Sequence, residues 1–122
     1  MTNAVVEWLN EQQTSMVELL SDIVNIDSNS FDKVGVDKVA DRLRLFFDDH
    51  GIQHDTISVK KHGDALRAVV AGGNGTQPIL LCGHRDTVFA DGEAVNRPFE
   101  VRDGRAYGPG VADMKPGLVI NA

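Results

Sequence analysis

Pro78-Ile79-Leu80-Leu81-Cys82-Gly83 runs directly into His84-Arg85-Asp86-Thr87-Val88-Phe89, and this stretch decides the fold. Its first half is almost continuously apolar, as a central strand buried on both faces would be. Its second half places an imidazole and a carboxylate two residues apart. Ligands and catalytic groups gather at the C-terminal ends of strands in α/β sheets. The expected architecture is therefore α/β, with helices flanking a mixed sheet.

Upstream, residues 4–25 read as helix. Met16, Leu19, Leu20, Ile23 and Val24 recur at three- and four-residue steps and make one apolar stripe. Thr2 or Asn3 suits its N-cap, and Ser15 with Glu18 fits a capping box that would break the helix near Gln13. After the loop composition of Asp27-Ser28-Asn29-Ser30, a second helix is expected over 34–50, its core face formed by Val36, Val39, Ala40, Leu43, Phe46 and Phe47. Gly51 is placed to end it. Thr56–Lys60 alternates as a half-wet strand, and Ala65–Ala71 is its expected hairpin partner across Lys61-His62-Gly63-Asp64.

Downstream, Ala90–Pro98 is polar and reads as loop. Phe99–Val101 and Arg105–Tyr107 are expected to form short strands turning at Asp103-Gly104. Lys115-Pro116-Gly117-Leu118-Val119-Ile120 reads as a helix start with proline in its first turn. The sequence has no internal repeat and no low-complexity segment.

The chain of 122 residues has the length of about one domain. Its 12 Lys+Arg stand against 18 Asp+Glu, a net charge of -6, which argues against a phosphate-backbone partner. No apolar run approaches the ~20 residues of a membrane helix. The N-terminus lacks the basic and apolar regions of a signal peptide, and the single Cys82 implies no disulfide. These features fit a soluble cytoplasmic protein with neither a nucleic-acid nor a membrane partner.

Neutral imidazole is the commonest metal ligand. A ligating histidine usually donates its second N–H to a carboxylate. Asp86 would leave the strand on the same face as His84 and could serve that purpose. On His-x-Asp alone, a polar strand end followed by a turn is the better explanation of the residues. Asp113 shifts the balance. It lies in Tyr107-Gly108-Pro109-Gly110-Val111-Ala112-Asp113-Met114-Lys115, where glycines permit close backbone approach. Its carboxylate could bridge two cations or cap the following helix. Gly108-x-Gly110-x-x-Asp113 is not a phosphate loop, because an anion replaces the third glycine. Cys82 reads as a small buried hydrophobe. His50, His54 and His62 read as solvent-exposed, and Trp8 as packing the first helix. Arg85 reads either as a substrate contact or as a surface charge.

Gly-His-x-Asp-Thr-Val followed by Gly-x-Gly-x-x-Asp-x-Lys, with Asn96–Val101 and Asp103–Tyr107 between them, resembles the dinuclear-zinc amidohydrolases. These include glutamate carboxypeptidase, acetylornithine deacetylase and succinyl-diaminopimelate desuccinylase. The resemblance spans the chain, is strongest from Ile79 onward, and is nearest the glutamate carboxypeptidase branch. It implies that residues 1–122 are the N-terminal portion of a three-layer αβα zinc-peptidase catalytic domain with a mixed sheet. It implies His84 and Asp113 as metal ligands, with Asp113 bridging two zinc ions (cobalt or manganese being substitutes). Asp86 is implied as the catalytic residue that orients His84, and the Asp113–Met114 bond as cis. The implied reaction is hydrolysis of an amide bond in a peptide or N-acyl amino acid. A glutamate base, further ligands and a dimerisation domain, and with them a homodimer, are implied beyond residue 122. A deacylase of the acetylornithine or succinyl-diaminopimelate type is the alternative activity. An inert fragment or a binding module that kept the fold is the alternative of another class.

Overall fold

The computed structural model describes residues 3–75 and 77–122. Two helices, α1 (Ala4–Glu11) and α2 (Gln13–Val24), replace the single expected one, and they part at Gln12. The break falls where the sequence suggested, but Gln12 makes no side-chain cap, so the Ser15–Glu18 box is not what produces it. The Asn3 side chain caps α1 by accepting from the Val5 N–H at 3.0 Å, while Thr2 lies outside the described residues. No residue of α1 is buried, and Trp8 is 57% exposed rather than packed. The apolar stripe that reaches the core belongs to α2, through Leu19, Ile23 and Val24.

Helix α3 (Lys33–Asp49) buries Val36, Val39, Ala40, Leu43 and Phe47, the face its spacing predicts. It ends at a glycine in the left-handed region, Gly51 at φ 65°. There the Ile52 N–H returns to the Phe47 carbonyl at 2.8 Å and the Gly51 N–H to Asp48 at 3.1 Å. These two bonds satisfy carbonyls that a helix end otherwise leaves open. They also turn Ile52 back against the core.

Strands β1 (Gln53–Ile57) and β2 (Ala65–Val69) pair antiparallel with Ile57 opposite Ala65. The hairpin is the expected one, but its first strand lies three residues earlier, which lengthens the connection. Strands β3 (Glu100–Arg102) and β4 (Arg105–Tyr107) form a second antiparallel pair, turning at Asp103 (φ 52°) and Gly104 (φ 71°). Positive φ at both turn residues matches the twist of a two-residue hairpin.

One helical turn, α4 (Glu93–Asn96), stands where loop was expected. Its cap is supplied from far away in sequence: the Asp27 carboxylate accepts from the Gly92 N–H at 2.7 Å and the Ala94 N–H at 2.9 Å. Helix α5 (Lys115–Asn121) closes the described structure and packs Leu118 and Val119 against α2. No described helix is long and apolar enough to cross a membrane.

The largest departure concerns residues 78–83. They form no strand and pair with none among the described residues. Ile79 is 90% exposed, Leu80 82% and Leu81 61%. Cys82, expected in the interior, is exposed with them. A strand is buried on both faces only when neighbours flank it and layers cover it, and none of the described elements does so. Ile79, Leu80 and Leu81 instead border a cleft of ≈ 760 Å³ shared with Leu43, Phe47, Leu66 and Leu118.

Candidate metal centre

The site is assembled by the loop after α2, not by a sheet. Thr87 and Asn29 form an isolated parallel bridge. In it the Thr87 N–H donates to the Ser28 carbonyl at 2.7 Å and the Ser30 N–H to the Thr87 carbonyl at 3.0 Å. The Ser28 hydroxyl, in a side chain only 1% exposed, donates to the Arg85 carbonyl at 3.0 Å. The Asn29 amide donates to the Phe89 carbonyl at 2.9 Å. Residues 85–89 are thereby fixed from one side.

Alternation of side chains along that extended segment sends His84 and Asp86 one way and Arg85 the other. Arg85 is drawn toward α3 and the hairpin loop, where its Nη2 donates to the Asp64 carbonyl. Its Nη1 is buried without a partner, and burial lowers its pKa. Arg85 is therefore neither a surface charge nor a group facing the site.

The second segment is fixed by Gly110 and Lys115. A Cβ at Gly110 would stand 3.0 Å from Thr87 and 3.1 Å from the Lys115 side chain, and its φ is 86°. A side chain there would push the two segments apart. Lys115 is 1% exposed and donates from Nζ to the Ile26 carbonyl at 2.9 Å. Desolvation lowers its pKa to about 8, against the opposing attraction of Asp27. The expected cis Asp113–Met114 bond is present. The Met114 sulfur receives the His84 N–H at 3.4 Å, which joins the two segments directly.

The result is a line of three side chains. His84 Nε2 lies 2.9 Å from Asp113 Oδ1, and His84 Nδ1 lies 3.1 Å from Asp86 Oδ1 and 3.0 Å from the Asp86 carbonyl oxygen. A carbonyl oxygen only accepts, so Nδ1 carries the proton. The neutral ring then turns its Nε2 lone pair toward a carboxylate. Only a cation between them relieves that contact, either a proton or a metal ion. Desolvation pulls the imidazole pKa down, but the hydrogen bond to Asp113 and the contacts with Asp86 outweigh it, and the net shift is upward. The Asp86 pKa is lowered, first by the Ser30 hydroxyl that donates to its Oδ2.

Two ligands of one tetrahedral zinc, each about 2.0–2.2 Å from the metal, stand roughly 3.4 Å apart. The Nε2–Oδ1 separation of 2.9 Å is a hydrogen-bond distance, about half an ångström shorter than that spacing, so the pair would have to open slightly to take an ion. The Asp113 side chain is 83% exposed and the His84 side chain 48%, so both face solvent along the same edge. His84, Asp86, Phe89, Gly108, Gly110 and Asp113 line a cleft of ≈ 190 Å³. Among the described residues, no three His, Cys, Asp or Glu side chains are placed to hold one ion. Cys82 is exposed, and of the other histidines His54 is half-buried, bonded to Asp48 at 2.8 Å beside the Phe47 ring. Sequence reasoning found His84, Asp86 and Asp113 but missed Ser28, Ser30 and Lys115. Their only local signal was a short polar loop and a lysine after an aspartate.

Residues 80–122 match the sequence model of Peptidase family M20/M25/M40. Carboxypeptidase G2 of Pseudomonas sp. (strain RS-16) is 29% identical over 123 residues, covering 97% of this chain and 29% of the relative. A probable succinyl-diaminopimelate desuccinylase of Staphylococcus aureus (strain Mu50 / ATCC 700699) is 31% identical over 107 residues, covering 84% of this chain and 26% of that protein. Acetylornithine deacetylase of Proteus mirabilis (strain HI4320) is 50% identical over 46 residues, 35% of this chain and 12% of the relative. The chain spans less than a third of the length of these curated relatives. It is related by sequence to the M20/M25/M40 peptidases, most strongly through the segment that carries the site.

Proposed function

We propose that the chain is part of a metal-dependent hydrolase that cleaves an amide bond in a peptide or N-acyl amino acid. The observation that carries this reading is the facing pair of His84 Nε2 and Asp113 Oδ1 at 2.9 Å. The relatives' names support it, since a carboxypeptidase, a desuccinylase and a deacetylase each remove an amino acid or acyl group. In this reading His84 and Asp113 hold zinc, with Asp113 placed to bridge a pair of ions. Bound zinc would polarise the scissile carbonyl and lower the pKa of water. This chain's residues do the rest of what is visible here. Asp86 accepts a hydrogen bond from Nδ1–H and so leaves the Nε2 lone pair facing Asp113. Gly110 lets the two segments close on one another, and Lys115 anchors the second of them.

The same reading places residues 1–122 within a three-layer αβα catalytic domain with a mixed sheet. The exposure of Ile79, Leu80 and Leu81 supports it, because an extended apolar segment is stable between neighbouring strands. Remaining ligands, a glutamate base and a dimerisation domain belong to the rest of such a protein, as does a cytoplasmic setting. The match to carboxypeptidase G2 over nearly the whole chain favours a carboxypeptidase over a deacylase.

The alternative is an inert fragment or binding module, and one observation favours it: no three ligating side chains converge among the described residues. Hydrolysis by the complete protein separates the two. Asp113→Ala should abolish turnover of peptide and N-acyl amino acid substrates while leaving the fold intact by circular dichroism. Retained turnover would remove the assignment.

A further inference from the structure

Ser30 is a polar side chain at the site that neither holds metal nor touches His84. Ser30 lies outside both sequence motifs, yet its hydroxyl donates to Asp86 Oδ2, the carboxylate oxygen that does not face His84. Its backbone is held in the parallel bridge, with the Ser30 N–H on the Thr87 carbonyl at 3.0 Å. Ser28 and Asn29 fasten the same loop to Arg85 and Phe89. The hydroxyl is therefore presented from a fixed backbone, 56 residues away in sequence from the group it holds.

The consequence lies two bonds further on. A carboxylate with one oxygen anchored cannot rotate freely about its Cβ–Cγ bond, so Oδ1 stays on the His84 side. There it reinforces the Asp86 carbonyl as acceptor for Nδ1–H. A proton held on Nδ1 leaves Nε2 as a lone pair aimed at Asp113. We infer that Ser30 is a positioning residue of the centre: through Asp86 it holds His84 in the Nδ1–H tautomer that presents Nε2 to a metal ion. The inference rests on the reading of His84 as a ligand, but its geometry is testable without metal. Ser30 touches neither metal nor substrate and acts only through Asp86.

The test uses the 122-residue chain with ¹⁵N-labelled histidine, at a pH where His84 is neutral. The imidazole nitrogen shifts report the ratio of the two tautomers. The unaltered chain should show mainly Nδ1–H. Ser30→Ala should lower the Nδ1–H to Nε2–H ratio about threefold, the equivalent of a modest net hydrogen bond. Ser30→Thr, which keeps the hydroxyl, should restore it, and Ser30→Val, of the same shape without the hydroxyl, should not. An unchanged ratio in folded Ser30→Ala, or equal ratios in the Thr and Val variants, would overturn the inference. If the hydroxyl-free variants do not fold, the unaltered chain decides. Its Ser30 hydroxyl proton should exchange more slowly than that of a free serine, and equal exchange would overturn the inference. Zinc added to the unaltered chain tests the underlying reading separately. A His84 Nε2 that ignores zinc removes the ligand assignment, whereas the tautomer ratio still decides the part played by Ser30.

Discussion

Residues 79–81 and 84–87 are near neighbours in the chain and opposites in how they are held. Ile79, Leu80 and Leu81 project into solvent without a pairing strand. Residues 84–87 are bound through main chain and side chains to Ser28, Ser30, Met114 and Asp113. The apolar segment depends on neighbours to either side, whereas the polar one takes its partners from the loop after α2, the turn before α5 and the Asp64 carbonyl of the hairpin loop. The geometry of the His84–Asp86–Asp113 cluster is therefore set locally, by side chains bonding to backbone, without a sheet around it.

Substitutions should separate the two regions by the size of their effects. Ile23 is fully buried in the core that α2 shares with α3 and α5. Ile23→Ala should cost about 2–5 kcal/mol in urea unfolding. If the loss is under about 1 kcal/mol, α2 is not the support of the site that its packing implies.

Lys115 gives a pH dependence of definite sign. Its folded pKa of about 8 lies below its ordinary value of 10.5, so between those values the unfolded chain binds more protons. Stability should then rise as pH increases through that window, by on the order of 2–3 kcal/mol. Lys115→Met should flatten the slope. A stability that falls over the same window would show that the ammonium is better compensated than its single bond to Ile26 suggests.

Asp86→Ala removes the carboxylate behind His84 and leaves only the backbone carbonyl of that position as acceptor for Nδ1–H. Loss of such a partner costs roughly 10–100-fold in metal affinity. A zinc titration that gives the same affinity for variant and parent would reduce Asp86 to a structural turn residue. Asp27→Ala strips α4 of the carboxylate that accepts from Gly92 and Ala94. It should destabilise the chain by about 1–2 kcal/mol, the range of a lost N-cap. At the small end, Leu80→Ala should change stability by less than about 0.5 kcal/mol, as a solvent-exposed position does. A core-sized loss there would erase the contrast.

What the sequence made legible follows the same division. The stripe on α3, the glycine that ends it, the Asp103-Gly104 turn and the proline at the start of α5 are local signals, and each is found where expected. His84, Asp86 and Asp113 could be singled out because their spacing is local within each motif, and the structure brings them together. Three features were not legible, because their causes lie far away in sequence. Helix α4 exists where Asp27 caps it from 65 residues upstream. Ser30 reaches Asp86 across a loop whose composition announced only a turn. Residues 78–83 carry strand character, but pairing is a property of neighbours, and periodicity does not report whether neighbours are there.

The central claim is that His84 and Asp113 together bind a metal ion, and a zinc titration of the isotopically labelled chain tests it most directly. The account predicts that His84 Nε2 and the Asp113 carboxyl carbon shift together and saturably, and that Asp113→Asn abolishes the His84 response. Zinc that shifts His50, His54 or His62 while His84 Nε2 stays unmoved in a folded chain would contradict it.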